Sequence, residues 1–168
     1  MRRVISSHIT ILGGGPSLTK TPNLEPPFIG VNMSMLHWPC EHGIWIDRQW
    51  WLKWNADIPQ DTQQWSTGTG YPSHVNRIKV QVKNSGAAAI HLAMQLGYQE
   101  IRLAGFDFGP VNGKPNYHTH YTKRTEGSRW YRDNWYLDFL NIQTLANESG
   151  VQIVNLNQDS KLTLFNFG

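Results

Sequence analysis

An apolar, β-branched run from Val4 to Leu12 leads straight into Gly13-Gly14-Gly15-Pro16-Ser17, and this junction limits the fold more than any other feature of the chain. Ile5, Ile9, Ile11 and Leu12 give the near-continuous hydrophobicity of a strand buried on both faces, and the glycines that follow suit a tight turn. Strands of that kind belong to parallel sheets covered by helices. Five further runs fit the same reading: Phe28 to Asn32 behind Pro26-Pro27, Gly43 to Asp47, Ile78 to Val82, Glu100 to Phe108 and Val151 to Leu156.

Between the runs lie helical stretches. Ser85 to Leu96 carries Ala87, Ala88, Ile90, Ala93, Met94 and Leu96, with Asn84 or Ser85 as N-cap and Gly97 as the stop. Trp130 to Glu148 places Trp135, Phe139, Leu140, Ile142 and Leu145 at helical spacing and closes on Gly150. A shorter helix is expected near Arg48 to Trp54. The helix at Ser85 would join the run Ile78 to Val82 to the run at Glu100 in a right-handed crossover. The chain therefore predicts one α/β domain, Rossmann-like, three-layer α/β/α with a mainly parallel sheet, and a short polar, lid-like loop over residues 109–130.

Composition excludes several classes. A chain of 168 residues can bury a core without staples, and a single cysteine, Cys40, rules out an internal disulfide. The amino terminus has no signal-peptide pattern and no apolar run is long enough to span a bilayer, so a cytoplasmic protein with no membrane span is expected. The net charge of +3 comes from scattered basic residues, which argues against a nucleic-acid partner. Six of the eight tryptophans fall between Trp38 and Trp65, a density that suits a core before it suits a stacking platform.

The residues that stop the apolar runs carry the chemistry. Carboxyl ends of parallel strands share one edge, where ligands bind at a switch in strand order. Gly13, Gly14, Gly15, Pro16 and Ser17, then Asn32, Asp47, Asn84-Ser85-Gly86 and Gly105-Phe106-Asp107, would thus face one crevice. The glycine loop lets backbone N–H groups approach an anion, with Ser17 adding a hydroxyl; the other reading is that the glycines only make a turn. The helix start at Ser85-Gly86 is a second anion socket, and two sockets suit a nucleotide. Asp107 can equally be a cap at a strand end.

Gly14 to Leu18, Asn32, and the block from Asn84 through Gly97-Tyr98-Gln99-Glu100-Ile101 to Phe108 resemble the bacterial sialyltransferases of glycosyltransferase family 42. The archaeal 6-hydroxymethylpterin pyrophosphokinase-like group has similar segments, and Asn155 to Leu162 resembles that superfamily's closing strand and loop. The resemblance implies a mainly parallel α/β fold, a cytidine nucleotide donor on Gly14, Gly15, Asn32, Ser85, Gly86 and Gly105, and Asp47 at a donor-contacting position. It also implies metal-free transfer with a histidine base on the acceptor hydroxyl and tyrosines on the departing phosphate. The segment that would supply the histidine reads Arg129-Trp130-Tyr131-Arg132-Asp133-Asn134 and has none. His118 or His120 would then act as base, and Tyr117 and Tyr121 would serve the phosphate. Asp133 is a further catalytic candidate, or else the N-cap of the next helix.

Three functions follow. The first is transfer of a sugar from a nucleotide sugar to a hydroxyl acceptor, with no cofactor required. The second is Mg²⁺-dependent pyrophosphoryl or nucleotidyl transfer using Asp47 and Asp107. The third is nucleotide binding without turnover. His118-x-His120 with Asp107 would be a metal site only if all three side chains converged.

Overall fold

The computed structural model describes residues 7–120 and 135–168. Among them are eight strands: β1 (His8–Leu12), β2 (Phe28–Val31), β3 (His42–Trp45), β4 (Gln63–Ser66), β5 (Val75–Arg77), β6 (Glu100–Ala104), β7 (Gln152–Asn155) and β8 (Asn166–Phe167). The helices are α1 (Ser34–His37), α2 (Arg48–Trp54), α3 (Ser85–Gln95) and α4 (Tyr136–Ser149). All strand pairs are parallel, in the order β5-β4-β3-β2-β1-β6-β7-β8.

The sheet is fully apolar on one face, whereas on the other β1 and β6 begin with the paired polar residues His8, Thr10, Glu100 and Arg102, which Glu25 covers. Ile9, Ile11, Ile29, Val31, Ile44, Ile101 and Leu103 pack on one face with the residues of α3 and α4. On the other face Leu12, Phe28 and Ala104 lie beneath the 3₁₀ turn Pro16–Lys20, and Trp45 lies among Met33, Met35 and Trp50 from the α1 and α2 region. This is the expected α/β/α arrangement. The tryptophan-rich stretch forms much of that second layer: Trp45 is fully buried, its ring 6.0 Å from Trp50 and stacked 6.5 Å from Trp51.

Helix α3 is built from alanine where it meets the sheet. Ala87, Ala88, Ala89 and Ala93 have no solvent exposure, and a small side chain lets the helix axis approach β1, β2 and β3 closely. Asn84 is its N-cap, accepting a hydrogen bond from the Ala87 N–H at 2.9 Å. Gly97 at φ +90° ends the turn that follows, and Gly150 at φ +68° ends α4.

One expected strand is absent. Ile78 to Val82 alternates apolar and polar residues as a strand does, yet after β5 the backbone leaves the ladder. Ile78, Val80 and Val82 instead pack into the core under α3. The crossover through α3 therefore starts from β5, the outermost strand, and returns to the centre, setting β6 beside β1. The polar strand β4, with the sequence Gln-Gln-Trp-Ser, and the two-residue edge strand β8 have no hydrophobic signature and were not expected. The order reverses between β1 and β6, and the site lies at that reversal. No helix among the described residues is long and apolar enough to cross a membrane.

Candidate functional site

The carboxyl ends of β1, β2, β3 and β6 and the start of α3 enclose one cavity of about 400 Å³. Gly13, Gly14, Gly15, Asn32, Asp47, Asn84, Ser85, Gly86, Gly105, Phe106, Asp107 and His118 all line it. Five strand-end or helix-start segments thus meet at the switch in strand order, and His118 joins them from a sixth. Pro16, Ser17, Tyr117 and His120 do not line the cavity, and Tyr121 and Asp133 lie outside the described residues. Lys83, Asn116, Trp135 and Phe139 line it as well and had not been singled out. Of these, Lys83 was the one within reach of sequence reasoning, since it immediately precedes the helix cap.

The glycine loop is held mainly by the protein. The Gly13 N–H donates to the Ala104 carbonyl and the Gly15 N–H to the Gly105 carbonyl, both at 2.8 Å. The Ser17 N–H and hydroxyl both donate to Asp107 Oδ2, at 3.1 and 3.0 Å. Pro16 has no N–H, so Gly14 alone keeps a loop donor without an acceptor among the described residues. The N–H groups of Gly13, Gly15 and Ser17 and the Ser17 hydroxyl thus fasten the loop to β6 and the turn after it, and the Gly14 N–H is the donor that the expected cradle keeps open. Gly15 is required by that fastening, since a Cβ there would fall 1.9 Å from Asp107 Oδ2.

Asp107 is 4 % exposed and acts as a strut. Its Oδ1 accepts from Asn157 Nδ2 at 2.7 Å, which links the glycine loop to the turn after β7. Burial pushes its carboxyl above the usual range, while the two Ser17 bonds pull it back. The cap reading of Asp107 fits this geometry.

Two other strand ends differ. Asn32 sits at φ +52°, a left-handed conformation that asparagine tolerates better than most residues, and its Oδ1 is buried without a hydrogen-bond partner among the described residues. A buried amide oxygen left without a donor is costly, and this one stands in the cavity wall. Asp47 is the N-cap of α2, its Oδ1 accepting from the Gln49 N–H at 2.8 Å.

The start of α3 is the more open anion socket. Asn84 satisfies the Ala87 N–H, and the Ala88 N–H bonds the Asn84 carbonyl. The N–H groups of Ser85 and Gly86 have no acceptor among the described residues, and they carry the positive end of the helix dipole.

Gly109, Pro115, Asn116 and His118 of the segment 109–120 line the cavity, and the Tyr117 N–H ties that segment to the Gly14 carbonyl at 3.0 Å. His118 is half-buried in the wall, and burial, joined by the nearby His120 and His37, pushes its imidazole down to about 4. His118 is therefore neutral at pH 7. His120 lies outside the cavity, with its ring 5.3 Å from Trp54. The Tyr117 oxygen is 2.8 Å from His37 Nδ1, and burial raises that phenol to about 12. His118, His120 and Asp107 do not converge: among the described residues no group of three His, Cys, Asp or Glu side chains could hold a metal ion.

No family model matches the sequence, and no curated protein matches it significantly. Solved structures do match in fold. The sialyltransferase CstII from Campylobacter jejuni with cytidine-5'-monophosphate (CMP) superposes with a TM-score of 0.55 at 14% identity, covering 95% of this chain and 83% of that one. The same enzyme with CMP-3FNeuAc gives 0.59 at 13% identity, covering 95% and 85%. Thiamine pyrophosphokinase from Bacillus subtilis gives 0.46 at 13% identity, over 90% of this chain and 61% of that one. At these identities the likeness is one of fold.

Proposed function

We propose that the cavity binds a cytidine nucleotide sugar and that the chain transfers the sugar to a hydroxyl acceptor without a metal ion. The observation that carries this reading is the meeting of the Asn32 amide, the Gly14 backbone and the open first turn of α3 on one cavity at the reversal of strand order. The CMP complexes of the sialyltransferase that shares this fold support the choice of nucleotide.

In this reading the bond between the sugar and the phosphate breaks, and its electron pair stays on the phosphate oxygen beside α3. The acceptor oxygen forms the new bond and gives its proton to His118. His118 suits the role better than His120 because it lines the cavity and is held neutral by burial, and its Nδ1, which accepts the His120 N–H at 3.2 Å, leaves that bond when the ring takes the proton. The Tyr117 hydroxyl lies beside His37, so the phosphate charge falls to the groups at the start of α3. The Mg²⁺-dependent alternative is weakened because Asp107 is turned to Ser17 and Asn157 and Asp47 caps α2.

The test is a thermal-shift panel of nucleoside monophosphates with EDTA or Mg²⁺, followed by hydrolysis of a CMP-sugar. CMP should raise the melting temperature equally in both conditions, and His118→Ala should lose donor turnover by about a hundredfold while His120→Ala keeps it. Binding that appears only with Mg²⁺ would defeat the reading. Binding without any turnover would reduce the chain to a nucleotide-binding module.

A further inference from the structure

Lys83 is the only lysine or arginine among the described residues that line the cavity. Two carboxylates, Asp47 and Asp107, share the same wall, so a phosphate entering without a cation would meet net negative side chains. The Lys83 side chain has no ion-pair partner among the described residues, while its backbone N–H donates to Asp138 Oδ2 on α4 at 2.6 Å. That bond anchors the residue at its backbone and leaves the ammonium uncommitted. Directly after it come Asn84, which caps α3, and the Ser85 and Gly86 N–H groups that lack acceptors.

The glycine loop competes poorly for the same charge, because the protein already holds the N–H groups of Gly13, Gly15 and Ser17. We propose that Lys83, together with the first turn of α3, binds the ligand's phosphate, and that the glycine loop serves as a close-packed wall for the rest of the nucleotide. The inference rests on the cavity being a nucleotide site, but it does not depend on which base is bound. Lys83 then favours phosphorylated ligands over nucleosides. Because negative charge grows on that phosphate as the glycosyl bond breaks, the same contact assists its departure.

The experiment is isothermal titration of the wild type, Lys83→Met and Lys83→Arg with four nucleoside monophosphates and their nucleosides, in EDTA. Lys83 is exposed, and circular-dichroism melts check that both variants fold. Lys83→Met should weaken the bound monophosphate about tenfold or more, leave its nucleoside unchanged and flatten the salt dependence, while Lys83→Arg keeps most of the affinity. An unchanged ratio of monophosphate to nucleoside affinity in Lys83→Met overturns the inference and leaves the cavity reading standing. Loss of a monophosphate other than CMP supports Lys83 and overturns the cytidine assignment. A wild type that binds no monophosphate overturns both.

Discussion

Asp107 is the residue whose sequence reading changed most. A carboxylate at the end of a strand beside a glycine loop has the same pattern whether it faces a ligand or a neighbouring loop, and only the burial and the bonds to Ser17 and Asn157 decide. Asp107→Asn sets an amide NH2 against the donors of either Ser17 or Asn157, so it should cost about 1–3 kcal/mol in urea unfolding and weaken nucleotide binding as the loop loosens. His118 makes a second prediction. Its folded-state pKa is depressed from 6.5 to about 4, so the unfolded chain takes up a proton first and stability falls as the pH drops from 6.5 towards 4. His37, His42 and His91 are lowered by burial and add to the same trend. Melting temperatures between pH 7.5 and pH 4.5 should fall less steeply in His118→Phe than in the wild type.

Among the elements, legibility followed burial. Strands β1, β2, β3 and β6 are apolar on the face that α3 and α4 cover, and α3 was recognisable from its alanines, its cap and its closing glycine. The outermost strand β5 and its neighbour β4 are partly exposed and polar, so nothing in their composition separates them from loops. Ile78, Val80 and Val82 misled in the opposite direction, since their side chains reach the core while the backbone leaves the ladder after the Ile78 N–H bonds the Ser66 carbonyl. Helix α3 links this level to the site. Asn84→Ala should cost about 1 kcal/mol and, by fraying the first turn at Ser85 and Gly86, should also weaken phosphate binding, read by denaturation and titration side by side.

Across the whole molecule, the position of the site follows from topology. The chain lays down β1 to β5 in one direction and returns through α3 to place β6 against β1, which opens a crevice between diverging strand ends. The polar residues that stop the apolar runs marked that edge in the sequence, whereas the pattern of occupied N–H groups, on which the proposal of a phosphate at α3 rests, depends on three-dimensional packing. Titration of the ¹⁵N-labelled chain with CMP in EDTA, followed by amide NMR, tests the account most directly. It predicts saturable shifts concentrated at Gly14, Asn32, Ser85, Gly86 and Gly105, with the amides of Gly13 and Gly15 moving less. Absence of shifts at saturating CMP, or shifts confined to residues away from the cavity, would contradict it.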